Sequence, residues 1–245
     1  MNLTLEDRAS EISTFLDLPY EDCIARLRRG FGYQHQQVAQ DWRRANPQTD
    51  EEILDWYRTT ESYIWELSAY HADPGFNYSG MCKGIADGLL AKRAYRVLCL
   101  GDGIGDLTLH LNEDCFAPVY HDLAASNTAK FAVARFRKYE KRMIITDLTM
   151  GWEPDFCHLQ YDAVVSLDFL EHLPEGGVEK WARAIYAAVK PGGWFVAQNG
   201  FAMGSGAQGS IPCHLACNDR FEQDWDPLLA SIGFVQAASN WYFRP

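Results

Sequence analysis

Apolar residues recur at helical spacing through roughly the first 93 residues of the chain. Pro19 and the turn-forming segment 46–50 interrupt this pattern. Thr49 and Glu52 have the spacing of a capping box, which favours the start of a helix there. The pattern therefore predicts a succession of helices at residues 5–16, 21–45 with an interruption at 30–32, 50–71 and 79–92.

The pattern changes from residue 96, where short runs rich in β-forming residues alternate with helical stretches. The predicted strands are residues 97–100, 119–121, 143–146, 162–167 and 194–198. The predicted helices are residues 106–111, 126–140, 177–189 and 221–231, followed by a short extended end at 234–243. Strands that alternate with helices are typical of an α/β fold, in which helices cover both faces of a mostly parallel sheet.

Composition and charge restrict the classes of partner. The chain has 245 residues and a formal net charge of −11, so we expect no nucleic-acid partner. The basic run at 135–142 is more typical of the solvated end of a helix. No apolar run is long enough to span a bilayer, and residues 1–10 do not resemble a secretion signal. With seven scattered cysteines, we expect reduced thiols, a cytoplasmic location and no membrane partner.

Glycines and acids follow the predicted strands, namely Gly101, Gly103, Gly105, Asp122, Asp147 and Asp168. Because the carboxyl ends of parallel strands meet at one edge of the sheet, these residues predict a single ligand site. A dinucleotide fingerprint would need a third glycine where Asp106 stands, and the sequence has no Gly-Lys-Ser/Thr phosphate loop. The acids around the turn, Asp102, Asp106 and Asp122, instead suit a ligand with positive charge and ribose hydroxyls.

Several segments, in this order, resemble the motifs of the class I methyltransferases, which use S-adenosylmethionine. The resemblance covers about residues 95–238. VLCLGDGIG at 97–105 is similar to the family's first motif, and YDAVVSLDFLEHLP at 161–174 to the fourth-strand motif of a subgroup that includes ubiquinone-pathway methyltransferases. The other matching segments are HDL at 121–123, TDL at 146–148, VKPGG at 189–193, HL at 214–215 and LLASIGF at 228–234.

The resemblance implies a doubly wound, mostly parallel seven-stranded sheet that binds S-adenosylmethionine and releases S-adenosylhomocysteine. It implies that Asp122 binds the ribose hydroxyls and that Asp147 meets the adenine amino group. In this chain the acid and the small residue of the first motif have changed places, as Asp102 and Cys99, and Asp102 is the acid left to hold the methionine ammonium. The implied cofactor-binding residues are Gly101, Asp102, Gly103, Gly105, Asp122, Leu123, Asp147, Leu148 and Asp168.

The resemblance also divides the chain into a methyltransferase domain at 94–245 and a helical extension at 1–93. In small-molecule members of the family, such helices form a lid over the acceptor pocket. Aromatic and histidine residues of the extension would line this lid, namely Tyr57, Tyr63, Trp65, Tyr70 and His71. The glycine-rich loop 200–209 is expected to gate access. We expect a small-molecule acceptor, a secondary metabolite or sugar-like compound methylated on oxygen or nitrogen, and we leave a homodimer open.

The catalytic candidates are Asp168, His172 and His214. If a helical turn follows the fourth strand, Asp168 and His172 project together. His172 has the residue type that takes a proton near neutral pH, or it only shapes the loop, and both roles stay open. Glu171, His172 and His214 are also metal-binding residue types, but neighbours in sequence rarely point the same way, and we expect no metal. Cys213 and Cys217 have the spacing of half a zinc site without a second pair, which favours structural cysteines.

Three other functions stay open at this stage. The same fold could methylate nucleic acid or protein, although the acidity of the chain counts against nucleic acid. It could also bind the cofactor as a scaffold without turnover. A nicotinamide oxidoreductase is a third alternative, and the missing third glycine counts against it.

Overall fold

Ten helices and seven strands make up the part of the chain that the structure describes. The structure is a computed structural model, and it describes residues 3–113, 115–141, 145–156, 160–201 and 214–245, with the backbone alone for 145–148. The helices are α1 (Leu5–Leu16), α2 (Tyr20–Leu27), α3 (Phe31–Ala45), α4 (Asp50–Thr59), α5 (Ser62–Ala72), α6 (Tyr78–Ala91), α7 (Asp106–Leu111), α8 (Asn127–Lys138), α9 (Gly177–Ala188) and α10 (Phe221–Ile232). The strands are β1 (Arg96–Leu100), β2 (Ala117–Leu123), β3 (Ile145–Thr149), β4 (Tyr161–Leu167), β5 (Val189–Gln198), β6 (Val235–Ala238) and β7 (Trp241–Phe243). The predicted α/β class is confirmed.

The strands form one mixed sheet in the order β3-β2-β1-β4-β5-β7-β6. The strands from β3 to β5 are parallel, whereas β7 lies antiparallel between β5 and β6. The extended end predicted at 234–243 is thus a hairpin, because Asn240 adopts a left-handed conformation (φ +62°) that turns the chain. The strand order reverses between β1 and β4, and ligands of α/β sheets bind at the carboxyl ends of such strands.

Alternate side chains of β1 pack on opposite faces of the sheet. Val97 and Cys99 contact the cluster formed with α6 and α7. Leu98 and Leu100 belong to the cluster that α9 and α10 cover. Both faces are therefore buried, as expected for a parallel strand in the centre of a sheet. The predicted boundary at residue 93 stays a prediction, since α6 packs on the sheet itself.

Two of the helices predicted near the N-terminus are each divided in two. Gly30 (φ +78°) separates α2 from α3, at the predicted interruption. The prediction of one continuous helix at 50–71 is wrong, because Thr60 is extended and its hydroxyl accepts a hydrogen bond from the Ser62 amide at 3.2 Å. Such a local bond competes with the helical hydrogen bonds and ends α4. The capping box of Thr49 and Glu52 is confirmed.

The N-terminal helices α1, α2 and α5 pack against the turn that follows β1. Their apolar side chains form one cluster with Ile104 of that turn and Phe131 of α8. This packing brings the N-terminal helices close to the carboxyl ends of the strands. Among the described residues, no helix combines the length and the apolar character needed to cross a membrane.

Candidate active site

A cavity of about 570 Å³ lies at the carboxyl ends of β1, β2 and β4. Its volume is in the range of small-molecule binding sites. One wall comes from the strand ends and includes Gly101, Asp102, Gly103, Asp122, Leu123, Asp168 and Gln198. The N-terminal helices supply another wall, which includes Phe31, His35, Tyr57, Tyr63, Glu66, Tyr70, His71 and Tyr78. The structure thus places residues from both ends of the chain around a single cavity.

Two predicted residues lie away from this cavity. Trp65 is buried among the N-terminal helices rather than in the cavity wall. Gly105 faces α8, where an added Cβ would lie 2.6 Å from the Phe136 ring. Gly105 therefore allows close packing between the turn and a helix, and the prediction that it touches the ligand is not supported by its position.

The turn after β1 requires glycine at the cavity wall. Gly101 has a left-handed conformation (φ +66°), which side chains rarely adopt. An added Cβ at this position would also lie 2.4 Å from the Phe169 ring. The glycine lets the backbone and a packed aromatic ring meet beside the cavity.

Asp122 links the end of β2 to the glycine turn. Its two carboxylate oxygens accept hydrogen bonds from the amides of Gly103 and Leu123, both at 2.7 Å. Burial in the cavity wall raises the pKa of Asp122 to about 6, although these two amides favour the charged form. The two amides fix the orientation of the Asp122 carboxylate at the end of β2, where the sequence predicts a ligand-binding acid.

Asp102 belongs to the same turn and also lines the cavity. Its oxygens accept hydrogen bonds from the amides of Leu107 at 3.2 Å and Thr108 at 2.8 Å, in the first turn of α7. Burial raises the pKa of Asp102 to about 7. Each oxygen thus accepts one hydrogen bond from the protein and keeps a second acceptor site.

Asp168 follows β4 in a left-handed conformation (φ +49°). Its side chain is open to the cavity, yet the surrounding protein raises its pKa to about 6 by desolvation. The backbone of Asp147 pairs with His121 in β3, and that of Leu148 pairs with Asp122. The side chains of Asp147 and Leu148 lie outside what the structure describes.

His172 lies on a 3-10 turn at Leu170–His172, and it lines the cavity as Asp168 does. The two residues thus project into the same space, as predicted, although the turn is not α-helical. The His172 Nδ1 atom lies 3.0 Å from the Tyr57 hydroxyl, and its ring also packs against Tyr63. These contacts connect the end of β4 to the N-terminal helices.

His214 is brought to this turn by a residue that the sequence analysis did not identify. The buried Asn218 side chain donates hydrogen bonds to the carbonyls of Glu171 (3.1 Å) and Leu173 (2.7 Å). The rings of His172 and His214 are perpendicular, with centroids 4.7 Å apart. His214 Nδ1 lies 3.0 Å from the Gly200 carbonyl, and burial lowers the pKa of this histidine.

Glu171 lies behind the two imidazoles and is almost fully buried. Burial and the nearby charge of Asp168 raise the pKa of Glu171 to about 8. One carboxylate oxygen and one nitrogen of each imidazole, from Glu171, His172 and His214, all lie within 4.8 Å of one another. The expectation that residues 171 and 172 point apart is therefore wrong, because the tight 3-10 turn lets both reach the same point.

Cys213, half of the predicted cysteine pair, lies outside the described residues, and so does most of the loop 200–209.

Solved structures with this architecture identify the fold. An O-methyltransferase family protein from Burkholderia thailandensis aligns with a TM-score of 0.58 at 12% identity, over 87% of this chain and 68% of that one. This chain has the methyltransferase fold. Neither a family profile nor a curated protein matches the sequence.

Two further solved structures align less completely. CalS10, an amino pentose methyltransferase from Micromonospora echinaspora solved with S-adenosylmethionine bound, aligns with a TM-score of 0.42 at 20% identity over 51% of each chain. The cyclase SpnF aligns with a TM-score of 0.48 at 19% identity, over 69% of this chain and 59% of that one. This chain therefore spans about half of CalS10 and somewhat more of SpnF.

Within this methyltransferase fold, Asp106 belongs to a buried ion network and not to the cavity wall. Arg8 and Arg135 donate to its two oxygens at 2.7 and 2.6 Å, and His71 Nδ1 lies 2.5 Å away. Burial alone would raise the pKa of Asp106, but the charges of Arg135 and Arg8 hold it well below its usual value. Two predictions are thus wrong: Asp106 is not free for a cationic ligand, and Arg135 is not solvated.

A second unpredicted pair lies in the wall formed by the N-terminal helices. His35 Nδ1 on α3 is 2.6 Å from a carboxylate oxygen of Glu66 on α5, and both residues line the cavity. The hydrogen bond with Glu66 raises the pKa of His35. Glu66 is the only acidic residue of α5, whose sequence is SYIWELSAYHA, and this was the available sequence signal for the pair.

Proposed function

We propose that this protein transfers the methyl group of S-adenosylmethionine to an oxygen or nitrogen centre of a small molecule. One observation carries the proposal. Three acids from neighbouring strand ends, Asp102, Asp122 and Asp168, face one cavity, and its described wall contains no lysine or arginine. A ligand with a sulfonium and an ammonium group supplies the positive charge that this wall lacks, whereas a diphosphate would be repelled.

The proposed cofactor lies across the switch point between β1 and β4. Asp122 accepts hydrogen bonds from the ribose hydroxyls, since its oxygens are directed by the Gly103 and Leu123 amides. The left-handed conformations of Gly101 and Gly103 shape the turn whose backbone lines the cavity beside the proposed methionine end. Asp168, which is open to the cavity, stabilises the positive charge of that end. Asp147 and Leu148 remain predicted contacts of the adenine.

The proposed acceptor is a small, largely apolar molecule. The wall opposite the acids is mainly aromatic, and it is formed by Phe31, Tyr57, Tyr63, Tyr70, Phe76 and Trp152. Such a wall would hold a flat or apolar acceptor and exclude water from the reaction. Methyl transfer from a sulfonium is an in-line displacement, and orientation of the reactants can contribute roughly 7–11 kcal/mol to lowering the barrier. A homodimer stays a prediction.

His172 and His214 are the proposed polar groups nearest the acceptor. Both imidazoles line the cavity, and His172 contacts Tyr57 and Tyr63 on the aromatic wall. They touch the acceptor rather than the adenosyl group in this arrangement. Whether His172 removes a proton stays a prediction from the sequence.

Calorimetric titration with S-adenosylmethionine tests the cofactor assignment. We expect Asp122→Ala to weaken binding by well over tenfold, because the ribose loses its charged acceptor. Asp162→Ala is the matched control. Asp162 also accepts two backbone amides, from Tyr95 at 2.8 Å and Arg96 at 2.9 Å, but it lies at the opposite end of β4.

Unchanged affinity in Asp122→Ala would contradict the assignment, as would binding of NAD⁺ in place of S-adenosylmethionine. Turnover is then measured with methyl-labelled S-adenosylmethionine and fractionated cell extract. We expect S-adenosylhomocysteine and one labelled small product. A protein that binds the cofactor but never forms S-adenosylhomocysteine would be a scaffold.

A further inference from the structure

Two short segments bring three metal-binding side chains together beside the cavity. Glu171 and His172 share the 3-10 turn after β4, and Asn218 ties the segment of His214 to that turn. One potential ligand atom from each of the three lies within 4.8 Å of the others. A single ion placed between atoms at such separations would be within about 2 to 3 Å of each, which is the range of metal–ligand bonds.

The backbone of Gly200 orients two of these ligands. Its carbonyl faces His214 Nδ1 at 3.0 Å, and its amide donates to one Glu171 oxygen, Oε1, at 2.8 Å. A carbonyl only accepts hydrogen bonds, so Nδ1 of His214 carries the proton and the neutral ring has its lone pair on Nε2. Histidine ligands of metals are commonly oriented through the second nitrogen in this way. His172 has a comparable contact, between its Nδ1 and the Tyr57 hydroxyl.

The second oxygen of Glu171 gives the independent signal. Glu171 is 1% exposed, and its Oε2 atom has no hydrogen-bond partner among the described residues. A buried carboxylate oxygen without a partner is costly unless a proton or a cation compensates it. No lysine or arginine occurs in the described part of the cavity wall beside it.

We propose that Glu171, His172 and His214 bind one divalent transition-metal ion. Two imidazoles and one carboxylate suit zinc, manganese, iron or cobalt, and three protein ligands leave coordination positions free. The imidazoles line the cavity while Glu171 lies behind them, so the free positions face the cavity. This assignment replaces the expectation of a metal-free site.

The role of the ion rests on the proposed function, whereas its binding does not. A hydroxyl oxygen of the acceptor would occupy a free position, and a divalent ion favours the ionised form of that hydroxyl after its proton passes to solvent. The oxygen then attacks the methyl carbon while the carbon–sulfur bond breaks, and the sulfur keeps the bonding pair as S-adenosylhomocysteine. The acceptor class is therefore a hydroxylated aromatic or apolar compound.

Cobalt titration of the full chain, after treatment with a chelator, tests the site. We expect one Co²⁺ per chain, with visible absorption bands of a nitrogen- and oxygen-ligated ion. Glu171→Gln and His214→Gln should each weaken binding by about 100-fold, since each removes a ligand. His110→Gln is the control, because His110 lies on α7 and outside the cavity wall.

Two outcomes would overturn the proposal. One is a wild-type chain that binds no Co²⁺; the other is binding that survives both ligand substitutions and is lost in Cys217→Ser. If the substituted chains do not fold, X-ray absorption of the zinc-loaded wild type decides instead. It should reveal two imidazole nitrogens at about 2.0–2.1 Å and no sulfur at about 2.3 Å, and a sulfur shell would refute the site. Cofactor binding without metal binding refutes this site alone, whereas metal binding without cofactor binding refutes the proposed function.

Discussion

Two aspartates four residues apart, Asp102 and Asp106, lie on opposite sides of the turn that follows β1. Asp106 is enclosed by Arg8, Arg135 and His71. Although burial opposes ionisation, the two guanidinium charges and the hydrogen bond with His71 hold the pKa of Asp106 well below its usual value. Asp102 accepts hydrogen bonds from backbone amides and has no cationic partner among the described residues, and burial raises its pKa to about 7. The same residue type in the same turn is thus stabilised as an anion on one side and destabilised on the other.

The difference extends to the surroundings of each aspartate. On the side of Asp106, Arg135 also donates to Glu11 at 3.1 Å, so the network connects α1 with α8 beneath the turn. On the cavity side, burial likewise raises the pKa values of three further carboxyl groups, which belong to Asp122, Asp168 and Glu171. The protein supplies its own cations where the charge is structural. Where the proposed ligands bind, it leaves the charge for them to compensate.

The largest expected effect on stability follows from removing the negative charge of Asp106, which is paired with two arginines. Asp106→Asn leaves two buried guanidinium groups with less negative charge, and we expect it to lower the free energy of unfolding by about 3–5 kcal/mol. Urea unfolding monitored by circular dichroism measures this. Asp87→Asn is the control, since Asp87 forms an exposed pair with Lys83 at 2.6 Å that contributes at most about 0.5 kcal/mol. Equal effects of the two substitutions would contradict the contrast.

A smaller effect is expected on the cavity side, and it depends on pH. A carboxyl group whose pKa is raised in the folded state binds more protons there than in the unfolded chain. Stability therefore falls as pH rises from the unfolded value, 3.8 for an aspartate, through the folded value of about 6 for Asp122. In the ligand-free protein, we expect the free energy of unfolding of Asp122→Asn, relative to that of the wild type, to increase by about 1 kcal/mol from pH 5 to pH 8.

Unfolding at several pH values between 5 and 8 gives that difference directly. Asp162→Asn is the comparison, because hydrogen bonds from Arg96 and Tyr95 and from Lys190 lower the pKa of Asp162 despite its partial burial. Its stability relative to the wild type should stay constant over this range. A constant difference for Asp122→Asn as well would mean that the carboxylate is not destabilised in the fold.

The sequence predicts the cavity side of this contrast, because the acids on that side directly follow strands that the local pattern predicts. Alternating strands and helices predict the sheet, and acids directly after strands predict which residues share its edge. The positions of Asp122 and Asp168 in the cavity wall follow from this reasoning. Periodicity and the order of elements are sufficient for such residues, because their position depends on the backbone topology.

The ion network around Asp106 could not be predicted in the same way. Arg8 lies 98 residues from Asp106 in sequence, and only the packing of α1 on the turn brings the two together. Arg135 begins a basic run and has the pattern of a solvated residue, although its face of α8 is buried. Glu171 and His172 meet because the backbone forms a 3-10 turn there. Long-range packing and tight turns are not encoded in the periodic pattern of hydrophobic and polar residues, so this pattern does not predict them.

The smallest effect is expected for a pair intermediate between the two sides, that of His35 and Glu66. The bond with Glu66 raises the folded-state pKa of His35 above 6.5, so its stabilisation is complete below that value and is lost as pH rises through the folded pKa. Because His35 is partly exposed, we expect Glu66→Gln to cost only about 0.5 kcal/mol at pH 5.5 and less at pH 8.5. Glu61→Gln, on an exposed residue at the start of the same helix, should have no such pH dependence. Carboxylates with cations gain stability from their charge and those without lose it. A Glu66→Gln variant more stable than the wild type at pH 8.5 would therefore place Glu66 with the unpaired acids of the cavity, and a cost that grew with pH would contradict the pair with His35.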